Sequence, residues 1–203
     1  MNRSLSTERS AQGLQSGVRA SCVATITLLL TGLAIPNALA QPAKSTEPDV
    51  KAAYLVNFGK FLREPAAQTP RKSFDICLLG HDSMGRTIDD LAANQGIDNV
   101  QIRVRRIPDV SQAKGCAIVF ISAGEGDRLR EDLAILSPSG ALTVSDASDF
   151  LDRGGMIQFL VIGNRLRFAV NLNAVNRAHL VLSSELLRVA SSVTGKPPTG
   201  DQP

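Results

Sequence analysis

The residues Gly80-His-Asp-Ser-Met-Gly85-Arg86-Thr87 lie between an apolar run and a helical period, close to the phosphate-loop pattern G-x-x-x-x-G-K-[ST]. In that pattern the loop amides cradle phosphate, a lysine reaches the terminal phosphates and a hydroxyl holds magnesium. Here Arg86 replaces the lysine, and the next apolar strand is not followed by an Asp in the usual place. The stretch therefore reads as an ordinary strand–turn–helix connection, with capture of a small anion at the helix N-terminus left open. His81 follows the carboxyl end of a strand, where open α/β sheets place ligands. A catalytic base also needs a nucleophile and an orienting partner, and the sequence offers neither, so His81 reads as a solvated loop residue. Ser145-Asp146 and Ser183-Ser184-Glu185 fit a turn and a helix cap. There is no G-x-S-x-G elbow and no HExxH, and His81 and His179, the only histidines, show no ligand spacing. The expectation is a protein that is not an enzyme and takes no metal and no cofactor.

Cys77 and Cys116 sit in the apolar segments Phe74–Leu79 and Cys116–Ile121, which read as neighbouring strands of one sheet. In an oxidising compartment an even pair suggests a disulfide. Two buried thiols acting as small hydrophobes are the alternative.

These residues need a scaffold, and its elements alternate. The FDICLL run at Phe74–Leu79 is a strand, followed by a helix over Met84–Ala93 after an Asp82/Ser83 cap. Val100–Arg106 sets Val100, Ile102 and Val104 against Gln101, Arg103 and Arg105, the period of a strand with one wet face. Cys116–Ile121 is continuously apolar, as in a strand covered on both faces. A helix over Asp127–Leu136 and a short strand at Ala141–Ser145 complete a βαβ rhythm. Met156–Ile162 and Arg165–Asn171 flank Gly163-Asn164, a pair suited to a tight hairpin turn, and Asn173–Arg177 and Ser183–Val189 are short helices. The fold class is α/β: one domain with a mixed, mostly parallel sheet flanked by helices and a C-terminal antiparallel hairpin.

Ahead of this domain, Lys51–Pro65 reads as an amphipathic helix with Val50, Tyr54, Phe58, Phe61 and Leu62 on one stripe, closed by Pro65. Earlier still, Arg3, Arg9 and Arg19 precede the apolar run Val23–Ala34 and the small-x-small site Ala38-Leu39-Ala40. Those are the parts of a secretory signal peptide, residues 1–40, with cleavage between Ala40 and Gln41. Residues 41–48 read as a linker, 49–191 as the domain and 192–203 as a disordered tail. The signal carries three Arg and one Glu, so the mature chain has 19 basic and 18 acidic residues and no polyanion partner is implied. The compartment expected is the periplasm.

The blocks KAAYLVNFGKFLREP, FDICLLG, GCAIVFIS, LTVSDASDFLDRGGMIQFLVIGNRLRFAVN and LSSELLRVA occur in this order over Val50–Ala190 and together resemble the YfiR family of periplasmic proteins. The resemblance implies a regulator that binds the periplasmic sensor domain of an inner-membrane diguanylate cyclase and restrains it, controlling cyclic-di-GMP and biofilm output. An outer-membrane lipoprotein antagonist relieves the restraint, and a histidine kinase is the alternative to the cyclase. Cys77 and Cys116 match a cysteine pair that the family uses as a disulfide. Some members carry a second pair near Leu151 and Gln158; this chain has none there. Tyr54 and Phe61 on the first helix and Arg165 and Arg167 on the hairpin are the candidate partner-binding residues, and a homodimer through the same surface is equally compatible. The alternative function is a periplasmic small-molecule binding protein using Gly80–Met84 and Ser122–Gly126.

Overall fold

The computed structural model describes residues 45–63 and 72–196; the expected signal peptide with its Ala40–Gln41 junction, Pro65 and residues 197–203 lie outside them, and the first helix stops at Phe61, short of the expected end, because the chain turns extended at Leu62–Arg63. The described chain forms an eight-stranded sheet with helices on both faces and a separate two-stranded antiparallel pair, Leu62–Arg63 with Val181–Leu182. In chain order the elements are α1 (Glu47–Phe61), β1 (Leu62–Arg63), β2 (Phe74–Leu79), α2 (Gly85–Ala93), β3 (Gly96–Ile97), β4 (Val100–Ile107), β5 (Ile118–Ile121), α3 (Leu129–Leu136), β6 (Leu142–Ser145), β7 (Ile157–Ile162), β8 (Arg165–Asn171), α4 (Leu172–Arg177), β9 (Val181–Leu182), α5 (Ser184–Val189) and β10 (Ser192–Thr194), with short 3-10 turns between.

The sheet order is β10-β8-β7-β6-β5-β2-β4-β3. β2 pairs in parallel with both β4 and β5, and β5–β6 and β6–β7 are parallel too. The parallel strands thus follow the doubly wound order 2-1-3-4-5, whose switch point lies between β2 and β5. The period-2 alternation assigns side chains cleanly to the two faces. Ile76, Leu78, Ile118 and Phe120 join α1, α2, α4 and α5 in the larger core. Cys77, Leu79, Val119 and Ile121 join α3 and Phe150 in the smaller one. β7 and β8 form the expected antiparallel hairpin, with Gly163 at φ 55° and Asn164 at φ 59° in the turn.

Two further expectations need correction. α1 starts at Glu47, not Lys51, because Thr46 and Asp49 close a capping box across its first turn, so the end of the presumed linker is helix. Its fully buried face also takes in Ala52, Leu55 and Val56, outside the stripe read from spacing. The tail does not begin at Ser192: Ser192–Thr194 pair in parallel with Ala169–Asn171 as an edge strand, although their side chains are exposed. Backbone hydrogen bonding holds this strand, which is why apolar periodicity missed it.

Candidate functional site

The carboxyl ends of β2, β5 and β6 share one rim of the sheet, and the hairpin arm of β7 and β8 projects past it. The phosphate-loop-like turn already carries a carboxylate of its own. Asp82 Oδ1 already accepts from the Met84 N–H at 2.8 Å and the Gly85 N–H at 3.2 Å, the amides a phosphate would need. Arg106 fixes that turn through Asp82, Asp89 and the Gly85 carbonyl, and these contacts hold its guanidinium above the ordinary arginine range. At the switch point the Glu125 side chain lies against Gly80, so close that a Cβ on Gly80 would fall 2.6 Å from Glu125 Oε1. A carboxylate thus occupies the crevice where doubly wound folds usually hold an anionic ligand.

His81 is exposed, and Ser145 is fully buried with its Oγ accepting from the Ala147 N–H at 3.0 Å. The structure does not join them into a catalytic pair. Among the described residues no group of metal-ligating side chains is gathered. Cys77 and Cys116 are joined in a disulfide, with Cα atoms 5.9 Å apart.

The rim's open surface lies elsewhere, between the first half of α1 and the arm. One groove of about 550 Å³ runs past Thr46, Glu47, Val50, Val161, Arg165 and Leu166. A second, of about 440 Å³, continues along Asp146, Ser148, Gln158, Phe159 and Leu160 and shares Glu47, Val161 and Leu166 with the first. Beside it the arm exposes Val161 (60%) and Ile162 (53%), large apolar residues left in water at the end of a strand. Arg165 and Arg167 are exposed opposite them, in register with Ile162 and Leu160, and form no salt bridge among the described residues. Tyr54 meets the base of the arm, with its ring 5.9 Å from Phe159 and 5.5 Å from Phe168. Phe61 does not join this surface: it lies at the other end of α1, where its carbonyl accepts from the Ser183 N–H.

Sequence reading missed Lys51. It is only 7% exposed, and its ammonium donates to Asp146 Oδ2 at 2.7 Å and pairs with Glu47 at 2.8 Å on the groove wall. Asp146 Oδ1 in turn accepts from the Ala123 N–H at 2.9 Å, so one carboxylate ties α1 to the loops after β5 and β6. Burial alone would push the Lys51 ammonium down, but the hydrogen bonds to Asp146 and Glu47 outweigh it and hold it above 10.5. A raised lysine contributes stability that is complete below its unfolded value and disappears as pH rises through the folded one. Wild-type stability should therefore fall in alkali above about pH 10.5 in a step that Lys51→Met lacks, read by denaturant melts across pH 9–12. At neutral pH the same substitution should cost about 1–3 kcal/mol, because Asp146 stays partly buried without its partner.

The fold and this rim define an α/β domain with an open groove beside a projecting hairpin arm, and among the described residues His81 and Ser145 are not joined into a catalytic pair. The chain belongs to the YfiR/HmsC-like family, whose model matches residues 48–191; this is a family of regulators rather than catalysts. No curated protein matches. Among solved structures, the chain is similar to a conserved domain protein from Vibrio cholerae (9% identity, TM-score 0.49, 73% of this chain and 60% of that one). It is also similar to the ABC domain from Streptococcus pneumonia in complex with L-Trp (11% identity, TM-score 0.51, 70% of this chain and 60% of that one). The chain spans 60% of the length of each, and the second likeness supports the α/β fold alone.

Proposed function

We propose that this chain is a periplasmic regulator that docks its rim on the sensor domain of an inner-membrane signalling enzyme and restrains it. Family membership supports regulation, and the surface observation that carries the docking site is the projecting arm, with Val161 and Ile162 exposed beside a groove. Adjacent apolar side chains left in water beside a groove form the kind of surface that a partner covers. The output expected is cyclic-di-GMP if the enzyme is a diguanylate cyclase, or phosphotransfer if it is a histidine kinase. Restraint needs a difference in affinity between the enzyme's two states: holding it 99:1 inactive against an unbiased equilibrium takes about 2.7 kcal/mol. An outer-membrane lipoprotein that competes for this protein would release the enzyme by mass action.

Deletion should raise cyclic-di-GMP or kinase output, and envelope crosslinking from the arm should capture a membrane sensor domain. Unchanged output on deletion would sink the reading. A small-molecule binding protein is the second reading, favoured by groove volumes within the range of about 300–1,000 Å³ typical of ligand pockets. It predicts a thermal shift with a metabolite and no sensor complex.

A further inference from the structure

We infer that the groove beside β7 receives its partner as an added β-strand, an extended segment with apolar residues on one side and carboxylates on the other. This rests on the regulatory reading and specifies the chemistry of the partner it needs. β6 pairs with β7 only at Val144↔Ile157 and Ser145↔Gln158. Beyond Gln158, β7 continues to Ile162 against β8, and among the described residues no strand covers its other edge. In a two-residue hairpin the pair that closes the turn, here Ile162 and Arg165, exchanges hydrogen bonds, and such pairs alternate along the ladder. Leu160 and Ile162 therefore direct their backbone groups to β8, while the N–H and C=O of Val161 point to the open edge. The second groove runs along that edge.

A strand added there would lie about 4.8 Å from β7, the ordinary ladder spacing. On the α1 side its alternate side chains would meet Val50, Val161 and Leu166, which line the first groove. Glu47 and Asp146 on that wall share the single Lys51 ammonium, and the net negative charge left there keeps the segment's carboxylates off the α1 side. On the other side they would lie over Leu160 and Ile162, whose register partners on β8 are Arg167 and Arg165. The backbone of those arginines stands two strand spacings away, roughly 9.6 Å, a gap that an extended arginine and a carboxylate span together. With no ion-pair partner of their own among the described residues, they select a carboxylate. A second copy of this chain is a poorer fit, since edge-to-edge arms would set Leu160 and Ile162 at the seam and bring no carboxylate to either pair of arginines. Strand addition gives affinity through the main chain and specificity through alternate side chains, so a two-sided acidic–apolar segment is the fit.

The test uses the mature chain and a labelled peptide, acetyl-Glu-Val-Glu-Val-Glu-Val-amide, followed by fluorescence anisotropy. Val161→Pro removes the outward N–H without touching the β8 ladder, and Val161→Ala keeps it. The proline variant should weaken binding about tenfold or more, the alanine variant less than about threefold. Replacing every Glu of the peptide by Lys, or N-methylating alternate peptide amides, should weaken it by a similar factor, and the pair Arg165→Glu and Arg167→Glu should reverse the charge preference. Equal binding to Val161→Pro and wild type, equal binding of the N-methylated peptide, or no saturation at millimolar peptide overturns the proposal. So does a homodimer in sedimentation that Val161→Pro dissolves. In cells the two readings separate. If deletion raises output and Val161→Pro does not, strand addition fails and the regulatory reading stands; if deletion changes nothing while the peptide results hold, the reverse is true.

Discussion

Phe58→Ala is expected to lower the unfolding free energy by about 3–5 kcal/mol, measured from denaturant midpoints. Phe58 is fully buried, and its ring centre lies 5.1 Å from Phe168, 5.7 Å from Tyr54 and 6.0 Å from Phe159. The edge-on approach to Phe168 adds a directional ring–ring attraction to the area buried. Truncation loses the transfer free energy of the ring and leaves a cavity that α1 cannot close, because Gly59 next to it already brings the helix backbone against Ile97 and Phe74. A domain of this size commonly has about 5–15 kcal/mol in total, so the loss is a large fraction. Phe61→Ala is the control, since its ring is half-buried; it should cost less than about 2 kcal/mol. The two also differ in what else they disturb. Phe159 and Phe168 are the base of the arm, so Phe58→Ala should speed amide exchange in β7 and β8 beyond its global effect, and Phe61→Ala should not.

What the sequence disclosed and what it hid follow from the range of the interactions concerned. The hairpin was legible because Gly163 and Asn164 settle their own turn, and β5 because a strand covered on both faces reads as a continuous apolar run. The wet face of β4 was legible too, and it gives Asp75 its partner: Arg103 grips that buried carboxylate with two hydrogen bonds, at 2.9 and 2.8 Å. The hydrogen bonds from Arg103 hold Asp75 below the ordinary carboxylate range against the opposing effect of its burial. The groove was not legible. It exists because the first turn of α1 packs beside the arm, and its wall depends on Lys51 meeting Asp146, 95 positions away. A lysine on a helix gives no local sign that it will be buried. Arg165 and Arg167 were visible as the polar side of an alternating strand, whereas Phe61 was grouped with them only because it shares a stripe with Tyr54. A stripe along a 15-residue helix is about 22 Å long, so its two ends face different surroundings.

Replacing Cys77 and Cys116 together by Ala should cost about 4 kcal/mol, the chain-entropy value for a loop of this length. The bridge spans 39 positions and ties the middle of β2 to the residue two places before β5, enclosing α2, β3 and β4. β2 is the strand on which β4 and β5 both pair, so the bridge keeps the central ladder's ends together when the chain opens. If the effect lies in the unfolded ensemble, the denaturant slope should rise along with the drop in midpoint, because a longer free chain exposes more surface. A fall in midpoint at constant slope would instead place the cost in the smaller core, where Cys77 is fully buried and Cys116 is 3% exposed. Reduction without substitution separates the two further, since it frees the loop but leaves both sulfur atoms in place. Reduced wild type should then match the Ala pair to within the packing difference of two small side chains. Cys77 is fully buried in the middle of β2, whereas Cys116 lies in the turn before β5, with Arg105 Nη1 3.7 Å from its Sγ. Alkylation of the reduced protein under native conditions should accordingly label Cys116 first, resolved by mass mapping of the two peptides.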